Sequence, residues 1–234
     1  MRSTVLTRLG LGIVVAAAVA GVGVLVHAAP DLAGTTIRIS VNAAGSQGDL
    51  ASFGGDVSAT GRYVVFTSRS ATLVAGDTNG STDVFVRDRD TDGNGIFDEP
   101  GRVSVVRVNV STSGEEANAE TGNRPAMTPD GRFVAFVSSA SNLVDGDRNG
   151  LPDVFVRDRD TDADGIFDEP GAVETTRVNL SNAGAEVNDR FGCGSGSPAL
   201  SASGRFVAFT SSCTSLLPET VSYTHLTLPT IYSV

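Results

Sequence analysis

Apolar residues along this chain fall in short runs, separated by polar and glycine-rich stretches. One type of run starts with an aromatic residue and ends in serine, and it occurs at Tyr63–Ser68, Phe133–Ser138 and Phe206–Ser211. A second type has the order Val-Phe-Val after an aspartate, at Asp83–Arg87 and Asp153–Arg157. Because these runs place apolar side chains on both faces of an extended chain, they predict strands that are covered on both sides.

The runs belong to a repeat with a period of seventy residues. The segment that starts at Gly61 is nearly copied at Gly131, and a third copy opens at Gly204. Repetition at a fixed period indicates one supersecondary unit that stacks on itself. Each unit is predicted to be a four-stranded meander, with a tight turn that ends in glycine between its first two strands. The other predicted strands are the first strands Asp56–Ser58, Pro125–Thr128 and Pro198–Ser201, the fourth strands Val103–Val110 and Ala172–Leu180, and one isolated early strand, Arg38–Val41.

Stacked four-stranded units indicate an all-β fold, which we interpret as an incomplete β-propeller of about two to three blades. The alternative is a calcium-binding β-sandwich, which would have two facing sheets. The motif PDGRFVAF at Pro129–Phe136, followed by DVFVRD at Asp153–Asp158, resembles the WD-like repeats of TolB-type propellers of exported bacterial proteins. The resemblance implies a module that can serve as scaffold, receptor or enzyme accessory domain. The period exceeds the roughly 40–45 residues of a WD-type blade, and two acidic insertions account for the excess.

Both ends of the chain differ from the repeats. Residues 1–28 have arginines before an apolar stretch and a small-residue cleavage pattern, which predicts a signal peptide or a retained membrane anchor. A lead-in at 29–55 precedes the repeats, which we divide into 56–124, 125–196 and a truncated 197–220. Residues 221–234 begin with VSYTHLTLPT, Val221–Thr230, which resembles a translated sequencing adapter. We therefore expect the tail to be foreign to the repeat.

The charge of the chain excludes some function classes. All seventeen basic residues are arginine, and without residues 1–28 fifteen of them face twenty-seven acidic residues. An acidic surface argues against binding to nucleic acids or anionic lipids. His27 lies in the signal segment and His225 in the tail, so a catalytic site that requires histidine is not expected between them.

The insertion between the third and fourth strands carries the candidate chemistry. It places oxygen-bearing side chains at positions 1, 3, 5 and 9 and glycine at position 6, the pattern of helix-free calcium loops related to EF-hands. A backbone carbonyl at position 7 would complete the set, whereas position 12 is glycine and lacks the usual glutamate. Glu99 and Glu169, at position 10, can replace it. The competing interpretation is a solvated acidic turn. The predicted Ca²⁺ ligands are Asp90, Asp92, Asn94, Ile96 and Asp98 in the first repeat and Asp160, Asp162, Asp164, Ile166 and Asp168 in the second.

The loop between the second and third strands matches the same pattern less well. In the second repeat its predicted ligands are Asp145, Asp147, Asn149, Leu151 and Asp153. In the first repeat Ala75 occupies the first ligand position, which leaves an Asx-type turn as an equally good interpretation.

Cys193 and Cys213 flank the third hairpin at equal distances from its turn. Facing residues of an antiparallel pair lie close enough for a disulfide, so we expect a bridge. Together these features predict an exported calcium-binding propeller module with a binding or structural role and an unidentified protein or glycan ligand. The alternative is an accessory propeller of a secreted hydrolase or lyase.

Overall fold

The computed structural model describes residues 14–17, 24–27, 36–122, 124–187, 193–217 and 225–227. Within these ranges the regular structure is antiparallel β-sheet, and one 3₁₀ turn, Thr214–Leu216, follows the thirteenth strand. No helix in the described ranges has the length and apolarity needed to cross a bilayer. The strands are β1 Val14–Ala17, β2 Val24–His27, β3 Thr36–Arg38, β4 Ser52–Val57, β5 Tyr63–Ser68, β6 Asp83–Asp88, β7 Ser104–Arg107, β8 Ala126–Met127, β9 Phe133–Ser138, β10 Asp153–Asp158, β11 Glu174–Arg177, β12 Ser195–Leu200, β13 Val207–Ser211 and β14 His225–Thr227.

Each repeat forms its own meander. Strands β4–β7 make one four-stranded sheet and β8–β11 make the next, each in chain order. The β5–β6 and β9–β10 pairs run the full length of both strands, from Tyr63 opposite Asp88 and from Phe133 opposite Asp158. A third sheet has the order β12-β13-β14, and a further small sheet joins β1, β2 and β3. The predicted four-stranded unit is therefore confirmed in both complete repeats.

Consecutive sheets stack face to face. One face of the first sheet, with Val65 and Val86, packs on Val134 and Phe136 of the second sheet. The opposite face of the first sheet, with Phe66, packs on residues of the lead-in. The second face of the second sheet packs on the third sheet, including Phe209. Since the first two sheets are buried on both faces, the fold is an all-β, partial propeller-like stack rather than two facing sheets.

An aromatic side chain and a glycine make the contact between successive sheets. A Cβ atom built on Gly131 would lie 2.4 Å from Cδ2 of Tyr63, and one on Gly204 would lie 2.2 Å from Cδ2 of Phe133. Both glycines have positive φ, so the tight turn and the close approach select the same residue. The third aromatic of the series, Phe206, is 41% exposed.

The fourth strands are shorter than predicted, because a side chain takes over the strand pairing. After β7 ends, Oδ1 of Asn109 accepts the N–H of Val84 at 2.9 Å, and after β11 Asn179 accepts the N–H of Val154 at 3.0 Å. The first strands of the first and third sheets begin earlier than predicted and carry bulges, between Phe53 and Gly55 and between Gly196 and Ala199. The early strand is also displaced, to Thr36–Arg38.

Cys193 and Cys213 form a disulfide with a Cα–Cα distance of 4.9 Å. Ser195 pairs with Ser211 across β12 and β13, so the two cysteines continue this register by two residues on each side. The side chains of the predicted signal segment and of the predicted adapter tail lie outside the described residues, so both assignments stay predictions. The backbone of His225–Thr227 pairs with β13.

Candidate metal centre

The acidic loop between β10 and β11 brings three carboxylates together. Asp160, Asp162 and Asp164 each offer an oxygen, and these oxygens lie within 4.8 Å of one another. Asp160 is 4% exposed, whereas the other two carboxylates face solvent. The three aspartates therefore form a cluster with a buried base and an open mouth.

The first aspartate also organises the loop backbone. The carboxylate of Asp160 accepts the N–H groups of Asp164 and Gly165, each at 3.1 Å, and Asp164 accepts the N–H of Ile166 at 2.8 Å. Asp90 makes the same two bonds to Asn94, at 3.0 Å, and Gly95, at 2.8 Å. The bond from Ile166 to Asp164 is that of an Asx-type turn, so a solvated acidic turn and a calcium loop share this geometry.

Two carboxyl groups in the acidic loop of the second repeat have raised pKa values. Partial desolvation, a hydrogen bond with Asp160 and the charge of Asp164 raise the pKa of Asp162. Partial desolvation and the charges of Asp164, Asp162 and Asp160 raise the pKa of Glu169. The carboxylate of Glu169 therefore interacts electrostatically with the three aspartates. In the first repeat the corresponding Glu99 accepts a 2.7 Å hydrogen bond from Nδ2 of Asn94.

The predicted ninth-position ligands are engaged elsewhere. Asp98 pairs with Arg89 at 2.7 Å and with Arg87 at 3.2 Å, and Asp168 pairs with Arg159. Both aspartates have positive φ, 62° and 66°, and their N–H groups donate to the carbonyls of Arg89 and Arg159. The structure therefore places Asp98 and Asp168 at the base of the loop, as anchors rather than beside the other acidic groups.

The anchoring arginines connect the loop to the contact between sheets. Nη1 of Arg159 donates to the carbonyl of Gly131 at 2.7 Å, and its guanidinium lies 5.2 Å from the ring centroid of Tyr63. In the first repeat Arg89 bonds the carbonyl of Gly61 at 2.9 Å. Ile96 and Ile166, the predicted carbonyl ligands, have exposed side chains.

The loop between the second and third strands holds a different arrangement. In the second repeat Asp147 and Asp153 converge with Glu186, and in the first Asp77 and Asp83 converge with Glu116. Of the other predicted ligands, Asp145 is exposed, and the side chain of Leu151 is partly buried against the core between the second and third sheets. Asn149 donates to Asp153 and to the carbonyl of Val187.

An arginine of the fourth strand lies among these carboxylates. Nη1 of Arg177 is 3.3 Å from Oδ1 of Asp147, 3.2 Å from Oδ2 of Asp153 and 2.9 Å from Oε1 of Glu186. In the first repeat Nη1 of Arg107 lies 3.3 Å from Asp77 and 3.6 Å from Asp83 and contacts Glu116. We call each set of three carboxylates and one arginine an arginine cluster. Sequence reasoning missed these arginines and glutamates, although both residues recur at the seventy-residue period.

The arginine clusters shift carboxyl pKa values in opposite directions. Burial and the charge of a neighbouring aspartate raise the pKa of Asp77 to about 6, and the same causes raise that of Asp147 to about 6. Burial also acts to raise the pKa of Glu116, but hydrogen bonds from Thr78 and Arg107 outweigh it and lower the pKa to about 2. One carboxylate is thus stabilised and another is under repulsion in the same cluster.

Known structures resemble the fold only distantly. A scan against protein-family models and a search of curated proteins both found no match. A protein from Agrobacterium tumefaciens described as TolB has a TM-score of 0.41 and 15% identity, with 90% of this chain and 57% of that chain covered. Hydrazine synthase of Kuenenia stuttgartiensis has a TM-score of 0.41 and 14% identity, with 95% and 56% covered. This chain thus spans just over half the length of either structure.

Proposed function

We propose that this chain is an exported, calcium-binding β-propeller module with a binding or structural role. The observation that carries the calcium assignment is the convergence of Asp160, Asp162 and Asp164 on one centre. Their donors are all carboxylate oxygens, which suit a hard cation that takes six to eight oxygen ligands. Zinc is a poorer candidate, because its sites use histidine or cysteine in addition to carboxylates.

In this proposal Glu169 takes the place of Asp168 as the fourth acidic group of the site. Asp168 is held by Arg159, whereas the pKa of Glu169 is raised by partial desolvation and by the three aspartates of the loop. In the first repeat Asp90, Asp92, Asn94 and Glu99 would form the equivalent set. A cation there would neutralise carboxylates that repel one another, so its binding would stabilise the loop.

The role of the cation would be structural. The loop is joined through Arg159 to the turn at Gly131, which contacts Tyr63 of the preceding sheet. A stiffened loop would therefore support the stacking of successive sheets. The exported location is supported by the disulfide between Cys193 and Cys213, since such bonds persist in oxidising compartments. An unidentified protein or glycan would be the ligand of the module.

Calcium titration of the folded full chain tests the proposal. We expect uptake with a dissociation constant of roughly 10⁻⁴–10⁻³ M, as in extracellular calcium modules. At a hundredfold excess over that constant one site adds about 2.7 kcal/mol to the free energy of unfolding. Magnesium at equal concentration should add much less, because it demands stricter octahedral geometry.

Matched variants assign the uptake to the loop. Asp160→Ala combined with Asp162→Ala should remove the part of the calcium response that belongs to the second repeat. Glu115 is an exposed acidic residue outside the clusters, so Glu115→Gln should leave the calcium response unchanged. Absence of calcium uptake by the folded chain at millimolar concentration would reduce both acidic loops to ordinary turns.

A further inference from the structure

Each arginine cluster has the acidic side chains of a cation site, and the guanidinium of an arginine lies at its centre. In each repeat three acidic side chains surround a single guanidinium nitrogen: one from the loop before the third strand, one from the start of that strand, and one from the loop after the fourth strand. The residues recur at the same period in Arg107 and Arg177 and in Glu116 and Glu186. Two independent copies of one arrangement indicate that it is built by the repeat.

Two atoms of the first cluster, Oδ2 of Asp83 and Nε of Arg107, have no hydrogen-bond partner. Asp83 is completely buried, and its Oδ1 accepts hydrogen bonds from Asn79 and Asn109. Its Oδ2 is unpartnered and lies 3.6 Å from Nη1 of Arg107. A buried carboxylate oxygen without a hydrogen bond is costly, and it is directed at the atom where a cation would be expected.

The charges of the cluster point the same way. Three carboxylates surround one guanidinium, so the negative charges outnumber the positive charge. A divalent cation would neutralise more of this negative charge than the arginine does. The arginine is nevertheless firmly held, since its side chain is 11% exposed in the first repeat and 8% exposed in the second.

We propose that Arg107 and Arg177 occupy the cation position of a divalent-metal site, formed by Asp77, Asp83 and Glu116 in the first repeat and by Asp147, Asp153 and Glu186 in the second. The guanidinium takes the place of the ion, so these loops are ordered without metal. Removal of the arginine opens a site for calcium. Each repeat then carries two chemically similar acidic sites, and an arginine side chain occupies one of them.

The test uses the full chain with both acidic loops disabled by Asp90→Ala and Asp160→Ala, so that calcium uptake reports on the arginine clusters alone. In this background we expect no uptake. Adding Arg177→Gln should lower the melting temperature in chelator, because two buried carboxylates and the partly buried Glu186 lose their partner. Millimolar calcium should restore the melting temperature, with one additional equivalent bound in calorimetry. Arg107→Gln should behave in the same way.

A control separates a metal site from general stabilisation by salt. Adding Asp147→Asn and Glu186→Gln to the Arg177→Gln chain should abolish both the uptake and the thermal recovery. If Arg177→Gln unfolds the chain, Arg177→Lys, which keeps a charge, should fold without calcium and bind none. The proposal is overturned if neither arginine variant gains calcium uptake. It is also overturned if the background with intact arginines binds calcium and loses this binding on Asp147→Asn. Either result is readable whether or not the acidic loops themselves bind calcium.

Discussion

The ring of Phe167 lies 5.2 Å from the ring of Tyr63, although the two residues belong to different repeats and are more than a hundred positions apart in the chain. Phe167 is the residue next to the anchor Asp168 in the acidic loop of the second repeat. Tyr63 opens the second strand of the first repeat and packs under Gly131. The acidic loop is thereby in direct contact with the preceding sheet.

Phe167→Ala should lower the free energy of unfolding by about 1–3 kcal/mol, because it removes a half-buried ring and an aromatic pair. Phe97→Ala is the matched control, since Phe97 contacts Arg89 and has no aromatic partner among the described residues. We expect the control to cost less. A double-mutant cycle with Tyr63→Ala, measured by denaturant unfolding, should yield a coupling energy for Phe167. A cycle without coupling would contradict the contact.

Gly131→Ala should be more destabilising than Gly171→Ala. Both glycines have a φ close to +87°, at 86° and 88°, so both substitutions carry the backbone strain of a left-handed residue, about 1–2 kcal/mol. Only at Gly131 does the new Cβ meet the Tyr63 ring, whereas Gly171 faces open space. The difference in melting temperature between the two variants therefore measures the close contact. Equal shifts would mean that the sheets do not pack as described.

Two substitutions in the first arginine cluster should change stability with opposite dependence on pH. The folded pKa of Asp77, about 6, lies above its ordinary value of 3.8, so its contribution favours folding at low pH and is lost as pH rises through about 6. Asp77→Asn should therefore be stabilising by about 1 kcal/mol at pH 7.5 and neutral near pH 3.5, after allowance for solvent screening.

The pKa of Glu116 is shifted in the opposite direction from that of Asp77. Its folded pKa of about 2 lies below the ordinary 4.5, so its contribution is present above about 4.5 and is lost as pH falls toward 2. Glu116→Gln should destabilise the chain at pH 7.5 and have little effect near pH 2. Urea unfolding of both variants across this range checks the two signs together. Parallel pH profiles would rule out the described electrostatics of the cluster.

Asp168 and Asp162 should separate anchoring from cation binding. Asp168→Asn weakens the ion pair with Arg159, so it should lower the melting temperature equally with calcium and with chelator. Asp162→Asn removes an exposed carboxylate of the open cluster, so it should reduce the calcium-induced rise and leave the melting temperature in chelator unchanged or higher. A larger loss of calcium response for Asp168→Asn would return Asp168 to the ligand set.

The second and third strands of the two complete repeats were predictable because burial on both faces leaves an unbroken apolar run. The ends of the fourth strands were not, since Asn109 ends the pairing through a side-chain bond that no local pattern reveals. The acidic loops were found from local spacing alone. The ion pair of Asp98 with Arg89 was not predicted, because Arg89 lies just beyond the end of the third strand. The arginine clusters join residues from separate loops, and only their recurrence at the repeat period signals them.

The pairing of an aromatic ring with a turn glycine makes each sheet depend on its immediate neighbour. Tyr63 contacts Gly131 and Phe133 contacts Gly204, so each junction uses residues from adjacent repeats only. In such a linear array the cooperativity of unfolding is set by nearest-neighbour coupling. A disruptive substitution at one junction should therefore divide a single melting transition into two. The second sheet should then unfold together with the neighbouring sheet that it still contacts.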